Sequence, residues 1–437
     1  MERVAPSQIN YDDQLPIAIS SKSSRREFFP EGGSTYGFSG GQHPNIVRIP
    51  INADSMLDCQ NSYLKFDFVF PATDAGGFDL PQSYIKRLRI LSGGTVLEDI
   101  DQYGRLYAGI LYPAQAGYNS IVSGSITNHQ CIVSATTQAF GVLHNVEAAQ
   151  AVSTSHKMCI QLASGLLNMD KYLPLVMMNA GFTIELELDV QGSFGIGTGA
   201  AALPEWSITN IRYVAHLIDL ERDFYDRLRM VMEGSGGVLQ LAGQTFRHYS
   251  GNFPTAATNI TINVPARVKS IKSIFFKNTI DADVAAKDKF GVSDGVSRTM
   301  TEYQFRVGSV VYPPQAVAVG VGAVAGEALL ELEKAFGNLS DYRAGSGILN
   351  SGNYLTSHHT GSATGAVPFL GPLGLDFESF NRSAIENGVN SADRSLPITL
   401  EIKALADTLA GGSTVDVYVL CDAIFYVNLD GTCSVSI

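Results

Sequence analysis

The chain has 437 residues, of which 45% are hydrophobic and 16% are charged, and its formal net charge is -12. This length suits two domains of about 200 residues, each large enough to bury a core. The acidic balance argues against a protein that covers duplex phosphates with a broad basic face, so no sequence-specific nucleic-acid binding is expected. Soluble domains usually carry roughly 25% charged residues, and the lower fraction here indicates that neighbouring molecules cover much of the surface.

The five cysteines are widely spaced and match neither a disulfide framework nor a zinc site. We therefore expect free thiols in a reducing compartment, with no metal and no cofactor. Residues 1–30 contain no long apolar run, so no signal peptide is predicted. The most apolar segment, 316–330, is rich in Gly and Ala and is interrupted by Glu327, which argues against a membrane span.

Residues 1–44 are polar and irregular, and we predict that they form an N-terminal arm. The only basic cluster of the chain, Lys22, Arg25 and Arg26, lies in this arm. The first jelly roll or sandwich is expected over residues 45–220. Its first strands are predicted from short extended or alternating segments at 45–53 and 63–70.

A β-hairpin is predicted next, because two alternating segments flank Gly93 and Gly94, which tolerate the positive φ of a tight turn. A helix should follow at 101–112 and end at Pro113. The small and polar residues from 113 to 155 predict a long external loop. Further strands are predicted at 156–163, 182–190 and 206–220.

An amphipathic linker helix is predicted within residues 221–237, since apolar residues recur there at helical spacing and the segment ends in Gly-Ser-Gly-Gly. The residues of the apolar stripe are Leu220, Phe224, Leu228, Val231 and Met232. This helix would separate two strand-rich halves of similar length.

The second domain, residues 238–437, repeats the order of the first. The pattern predicts a helix at 327–336 and a long Gly/Ser/Asn-rich loop at 338–395. The predicted strands lie at 259–265, 268–277, 303–317, 398–403 and 415–429.

Three segments recur at a similar distance, which indicates a duplicated domain. Leu88 aligns with Phe305 at an offset of 305 − 88 = 217, and Phe182 aligns with Ile398 at 398 − 182 = 216. Trp206 aligns with Val415 at 415 − 206 = 209. Many strands, few short helices and no long helix between consecutive strands favour an all-β sandwich or jelly roll.

Two glycine-rich motifs imitate enzyme sites but lack the required helix. Ser39 lies in a Gly-x-Ser-x-Gly pattern, yet a loop and a strand follow it instead of the helix of a nucleophile elbow. The segment 195–200 resembles a dinucleotide-binding loop, but Leu203 and Pro204 prevent a helix from starting there. We predict a flexible arm at the first and a turn at the second.

The chain offers no metal ligand set at the expected spacing. His358 and His359 are adjacent and point to opposite faces of an extended segment, and no His-x-His strand of a bicupin occurs. Glu185 and Glu187 are predicted to be solvated on the outer face of one strand, with no second carboxylate across a cleft. We therefore predict no catalytic residue and no enzyme activity.

Several segments together resemble a known family. They are Ser-Ile-Lys-Ser-Ile-Phe-Phe at 270–276, Tyr-Gln-Phe-Arg-Val-Gly-Ser at 303–309, Ser-Leu-Pro-Ile-Thr-Leu-Glu-Ile at 395–402, Phe-Tyr-Val-Asn-Leu-Asp-Gly-Thr at 425–432 and, in the first half, Tyr-Leu-Pro-Leu-Val at 172–176. This pattern is similar to double jelly-roll major capsid proteins, most nearly those of polinton-like viruses and virophages.

The resemblance implies two tandem eight-stranded jelly rolls and no catalytic residues. It also implies a homotrimer with a pseudo-sixfold outline that tiles an icosahedral virion shell assembled inside the host cell. Its expected partners are neighbouring capsomers, minor capsid or penton proteins and, through the N-terminal arm, an inner membrane or the genome. The alternative is a two-sandwich glycan-binding or host-attachment protein.

Overall fold

The fold is that of a computed structural model. It describes residues 19–38, 43–69, 76–78, 80–116, 155–189, 195–197, 206–234, 236–281, 292, 295–320, 324–339, 349, 354–355, 371–379, 385–393, 396–406 and 411–437.

The first half forms two antiparallel sheets and a small ribbon. One sheet has the order β1-β12-β4-β8, with β2 on β12 and β9 on β4; the other has the order β3-β10-β6-β7, and β5 pairs with β11. The strands are β1 (Ser21–Phe28), β2 (Thr35–Phe38), β3 (Ile46–Ile51), β4 (Met56–Val69), β5 (Gly76–Phe78), β6 (Ile85–Ser92), β7 (Thr95–Asp101), β8 (Ser155–Ile160), β9 (Leu173–Pro174), β10 (Phe182–Leu188), β11 (Gly195–Gly197) and β12 (Trp206–Leu220).

The second half also forms two antiparallel sheets, with the orders β13-β20-β15-β18 and β14-β19-β16-β17. A further strand, β21, pairs with β20. The strands are β13 (Val238–Phe253), β14 (Asn259–Val264), β15 (Ile271–Ile280), β16 (Met300–Val307), β17 (Val310–Ala318), β18 (Leu373–Asp376), β19 (Ile398–Ala404), β20 (Ser413–Asn428) and β21 (Cys433–Ser436).

The helical segments are few and short. Two 3-10 turns span Pro81–Tyr84 and Leu175–Met177. Helix α1 consists of Tyr103–Leu106, a π-helical turn at Tyr107–Leu111 and a last segment at Tyr112–Gln115. Helices α2 and α3 span Arg222–Gly234 and Gly326–Ala335.

The two halves have the same strand order in both sheets. When β1 and β2 are counted as one interrupted strand, eight strands of the described first half correspond one by one to β13–β20 of the second. This is the order of a jelly roll. The prediction of an all-β chain with two tandem jelly rolls and a few short helices is therefore confirmed.

Alternation of side chains explains the strands and their cores. In β4, Leu64, Phe66 and Phe68 are buried at every second position, while Lys65 and Asp67 between them are partly exposed. Strand β15 is buried along its whole length, because α1 and α3 both pack against its sheet. The buried apolar side chains of the two halves form one continuous cluster.

The duplication is real, but one predicted offset is wrong by two residues. The turn after β6 lies at Gly93, and the equivalent turn after β16 lies at Gly308, which gives 308 − 93 = 215 instead of 217. A shift of two residues preserves the alternation of faces, so the pattern alone could not detect it.

Pro113 does not end α1, contrary to the prediction. It lies in the last segment, Tyr112–Gln115, which continues the π-helical turn without a break because Leu111 and Tyr112 keep helical dihedrals. A loop was predicted next, at 113–155, and its residues 117–154 are not among the described ones. Helix α2 appears where the linker helix was predicted, although Val231 is 63% exposed and is not part of its packed face.

Several strands were missed in the sequence, among them β1, β2, β13 and β18. The predicted arm contains β1 and β2, which both pair with β12, so the prediction of an irregular arm is wrong for Ser21–Phe28 and Thr35–Phe38. Strand β13 alternates too weakly to be recognised, because most of its side chains are only partly buried. Strand β18 interrupts the loop predicted at 338–395.

Candidate functional site at the junction of the two jelly rolls

The junction joins one edge of the first jelly roll to one face of the second. Strand β7 and the beginning of α1 contribute from the first half, and strands β13 and β20 contribute from the second. Polar side chains dominate its centre. We define the junction network as Glu98, Asp101, Arg105, Thr245, His248, Asp416 and Tyr418.

Glu98 is the most buried acid of this network, with 1% exposure, and it accepts hydrogen bonds from both halves. Its Oε1 accepts from the Gly165 amide at 2.9 Å and from the Thr245 hydroxyl at 2.8 Å. Its Oε2 accepts from the Ser164 hydroxyl and the Leu166 amide. Burial raises the pKa of Glu98 despite these donors. A buried carboxylate thus depends on donors of both jelly rolls.

His248 lies between two carboxylates. Its Nε2 is 2.9 Å from Asp416 Oδ1, and its Nδ1 is 3.7 Å from Asp101 Oδ2. Burial alone would lower the pKa of His248, but the hydrogen bonds and charges of Asp101 and Asp416 outweigh burial and raise it. Asp416 also pairs with Arg105 at 2.9 Å. Burial would raise the pKa of Asp416, but His248 and Arg105 outweigh it, and the pKa is lowered.

Two glycines allow the two halves to approach closely. A Cβ atom on Gly165 would lie 1.8 Å from the carbonyl oxygen of Gln244, which is too close for any side chain. A Cβ atom on Gly109 would lie 2.7 Å from Lys277 Nζ. The Tyr418 hydroxyl also donates to the Gln102 carbonyl at 2.9 Å. These contacts hold the two jelly rolls in one relative orientation.

A cleft of about 530 Å³ opens beside this contact. It is lined by apolar and amide side chains from both halves, including Leu111, Gln244, Phe246 and Phe336. None of the residues that the sequence suggested as functional lies in its lining. Asp170 is the one carboxylate among the described lining residues, which therefore include no paired acids and no nucleophile with a base.

Most enzyme-like motifs of the sequence lie outside the described residues, including Ser39, His358 and His359. The predicted turn at 195–200 is in part a strand, because Gly195–Gly197 pairs with Gly76–Phe78. Within the described ranges, no group of three His, Cys, Asp or Glu side chains could hold a metal ion. No helix of the described part is both long and apolar enough to cross a membrane.

Glu185 is not solvated, contrary to the prediction. Its side chain is 3% exposed, because Arg48 of β3 and Arg89 of β6 flank it from both neighbouring strands. The Arg48 Nε to Glu185 Oε2 distance is 2.6 Å. Glu187 remains partly exposed and lies 3.5 Å from Lys86. Face alternation correctly places both acids away from the core, but it cannot show that arginines cover one of them.

The basic cluster also differs from its prediction, since it lies on a paired strand. In β1, Lys22 is opposite Asp219 of β12, and Arg25 is opposite His216. Arg25 also contacts Glu27 at 3.0 Å. Arg212 of β12 reaches Glu27 at 2.8 Å. The exposed face of the β1-β12-β4 sheet is therefore charged and rich in arginine.

Sequence analysis missed the junction network entirely. One signal was available: Asp416 is the only charged residue in the otherwise apolar segment from Val415 to Leu420, and it is 2% exposed. A lone acid in such a segment indicates a buried and paired carboxylate. Nothing in the sequence identifies its partners, which are 168 and 311 residues away.

Strand order and a fixed junction define the chain as a double jelly-roll protein. Its fold is similar to that of VP54 of PBCV-1 fitted into the virophage Sputnik, with a TM-score of 0.63, 9% identity and coverage of 98% of this chain and 99% of that chain. The cryo-EM structure of the Sputnik virophage matches with a TM-score of 0.60 and 11% identity, over 100% of this chain and 93% of that chain. The mavirus major capsid protein matches with a TM-score of 0.54 and 11% identity, over 100% of this chain and 95% of that chain.

The structural neighbours are thus double jelly-roll major capsid proteins of viruses, as the sequence resemblance predicted. At these identities the likeness concerns the fold. No protein-family model and no curated protein matches the sequence.

Proposed function

We propose that the chain is a structural major capsid protein, without enzyme activity, that acts in the virion shell. Three chains with two jelly rolls each would form a trimer of pseudo-hexameric outline, and such trimers would tile an icosahedral shell. One observation carries the proposal. The first jelly roll buries its β7 side in the junction, whereas the equivalent β17 side of the second jelly roll is exposed.

The two equivalent sides differ sharply in exposure. In β7, Leu97 and Ile100 are buried, and the strand packs against β13 of the second half. In β17, Val317 is the one buried residue, Val310 is 52% exposed, and the strand pairs only with β16 among the described strands. Exposed apolar residues continue beside β17, since Val324 is 76% exposed and Leu330 of α3 is 51% exposed. Such a group of exposed apolar side chains is typical of an interface.

The proposed partner of this side is the β1-β12-β4 face of a second copy. This face is equivalent to the β13-β20-β15 face that β7 and α1 contact within one chain. Its charges also fit, because it carries Arg25 and Arg212, whereas α3 carries Glu327 and Glu331 on its partly or fully exposed side. Repeating one type of contact around a ring alternates first and second jelly rolls and closes after three chains.

The proposal also assigns the segments of the chain. We place the first jelly roll at residues 21–220, the linker helix within 221–237 and the second jelly roll at 238–437. The first jelly roll now includes β1 and β2, so the arm is limited to the residues before β1. Minor capsid or penton proteins remain proposed further partners. The arm remains the proposed contact with an inner membrane or the genome.

Light scattering of the purified full chain tests the proposal. We expect the mass of three chains, followed at higher concentration by sheets or closed particles in electron micrographs. A stable monomer that forms neither would contradict it and would favour the glycan-binding or host-attachment protein.

A substitution on the open side tests the proposed contact. Leu330→Asp places a charge on a residue that is already 51% exposed, so the chain should fold normally but lose the trimer, with at least a 100-fold weaker association. Leu405→Asp is the matched control, because Leu405 is 65% exposed and lies on neither β17 nor α3. Trimer loss in both variants, or in neither, would show that the contact lies elsewhere.

A further inference from the structure

A buried lysine lies among two carboxylates and a side-chain amide at one end of the second jelly roll. Lys272 is 4% exposed. Its Nζ is 2.5 Å from Glu378 Oε1, 2.9 Å from Asn387 Oδ1 and 3.5 Å from Asp422 Oδ1. The Glu378 and Asp422 side chains are each 6% exposed. An amine, an amide and an acid are thus held together with little access to solvent.

The backbone holds these groups in place. The Phe377 amide donates to the Lys272 carbonyl at 2.7 Å, and the Ser379 amide donates to the Asn387 carbonyl at 3.1 Å. Ile271 and Val389 exchange two backbone hydrogen bonds of 2.9 and 3.0 Å. Three chain segments therefore bring the side chains together before any reaction, which is the condition for a fast intramolecular step.

The two carboxylates have different surroundings. Asp422 Oδ2 accepts from the Ser270 hydroxyl at 2.7 Å and from the Glu386 amide at 2.8 Å. Asp422 is thus held by two donors besides the lysine, and the lysine Nζ lies farther from it than from Glu378. Glu378 has the shortest contact with the lysine ammonium and is therefore the acid placed to exchange protons with it.

We propose that Lys272 and Asn387 form an intramolecular isopeptide bond. Glu378 takes one proton from the Lys272 ammonium, and the neutral amine attacks Cγ of Asn387. Glu378 then gives that proton to Nδ2 of Asn387 while it receives a second proton from Nζ. The Cγ–Nδ2 bond breaks, ammonia leaves, and Glu378 remains protonated. No oxidant, metal or other reactant is consumed.

The geometry allows the attack with a small side-chain movement. A carbonyl bond is 1.23 Å long, so the 2.9 Å contact with Oδ1 places Nζ within about 4.1 Å of Cγ. Asn387 is half-buried, which gives the departing ammonia a path to solvent. The bond would join β15 to the segment 385–393 and would close a loop over 115 residue positions.

Mass spectrometry of the denatured full chain tests this proposal. We expect a mass lower than that of the sequence by one ammonia, about 17 Da, and a proteolytic peptide pair joined through Lys272 and Asn387. Glu378→Gln should slow or abolish the loss. An unmodified mass with no joined peptides would overturn the proposal, and this measurement needs no variant that might fail to fold.

A matched pair of lysine variants separates the bond from a competing reaction. Asn387 precedes Gly388, and cyclisation of this Asn-Gly pair would release the same mass without involving a lysine. Lys272→Arg should abolish the loss, while Lys277→Arg should keep it, because Lys277 is buried on the same strand but its Nζ contacts the Val292 carbonyl. A mass loss that persists in Lys272→Arg would contradict the isopeptide bond. The result does not depend on the capsid role.

Discussion

Strands β7 and β17 occupy the same position in the two jelly rolls but have opposite surroundings. Strand β7 presents Glu98 and Asp101 to the other half, whereas β17 contains Pro313 and Pro314. Proline cannot donate to a neighbouring strand, and it is found mainly at open sheet edges. We infer that the open side contacts its partner through side chains and not by extending the sheet. Equivalent strands thus acquire different chemistry according to what covers them.

The largest effect should come from a variant that separates β7 from β13, the strand that packs against it. Gly165→Ala would place a methyl group against the Gln244 carbonyl, where neither backbone can yield without opening the junction. We expect a loss of about 3 kcal/mol in the free energy of unfolding, as for a severe overpacking. Denaturant titration of the full chain measures it.

The control for this variant is Gly94→Ala. Gly94 lies in the β6–β7 turn of the same edge, and a Cβ atom there meets nothing within 4 Å. It should change stability by less than about 0.5 kcal/mol. Equal losses in the two variants would show that the close approach at Gly165 is not what closes the junction.

A second variant tests the charges of the covered edge. His248→Gln should cost about 2 kcal/mol near pH 6, because protonated His248 bridges Asp101 and Asp416. The folded state raises the pKa of His248, so this contribution is complete below about pH 6.5 and is lost as pH rises through the higher folded-state pKa. Unfolding titrations from pH 6 to 9 should therefore converge for the two proteins.

The pH window isolates His248 from the acids around it. The pKa of Asp101, which the His248 hydrogen bond lowers, and that of Asp416 are both depressed, so the contributions of these acids disappear only in strong acid. Arg105 stays charged throughout, and Tyr418, which packs against His248, stays neutral because burial raises its pKa. A wild-type stability that rises between pH 6 and 9 would contradict the bridge.

The smallest effects concern two equivalent glutamates, which extend the comparison of the halves. Glu185→Gln should cost about 1 to 2 kcal/mol, since it removes a buried charge flanked by Arg48 and Arg89. Arg48 is 58% exposed, which limits the cost. Glu401→Gln should have no measurable effect, because its partner Arg306 is exposed and Glu401 itself is only partly buried, so water screens the pair. An equal loss of unfolding free energy in the two variants would show that the equivalent glutamates of the two halves do not differ in their contribution to stability.

Alternation and duplication made much of the fold predictable. The strands in which apolar and polar residues alternate, such as β10 and β19, were located within a few residues, because each buries its apolar face in its own core. Strands β1 and β13 were missed because most of their side chains are exposed or only partly buried, so their sequences show no clear alternation. The offset error at β16 arose because a shift of two residues leaves the face pattern unchanged.

The junction could not be predicted, for a related physical reason. Burial of Glu98 is acceptable only because Ser164 and Thr245 donate to it from different halves, and neither residue type is unusual in its own segment. A polar residue signals burial only when all its neighbours in the chain are apolar, as around Asp416. Contacts between elements thus decide what the local pattern leaves open.

The shared burial of Glu98 also has a consequence for synthesis on the ribosome. Domains generally fold from the N-terminus as the chain emerges. The first jelly roll can pair its own strands early, but Thr245 and the covering strand β13 are translated some 150 residues after β7, since Glu98 and Thr245 are 147 positions apart. Until β13 is translated, strand β7 stays at a solvent-exposed sheet edge that carries the charged Glu98 side chain. That charge would discourage nascent chains on one polysome from pairing edge to edge before each closes its own junction.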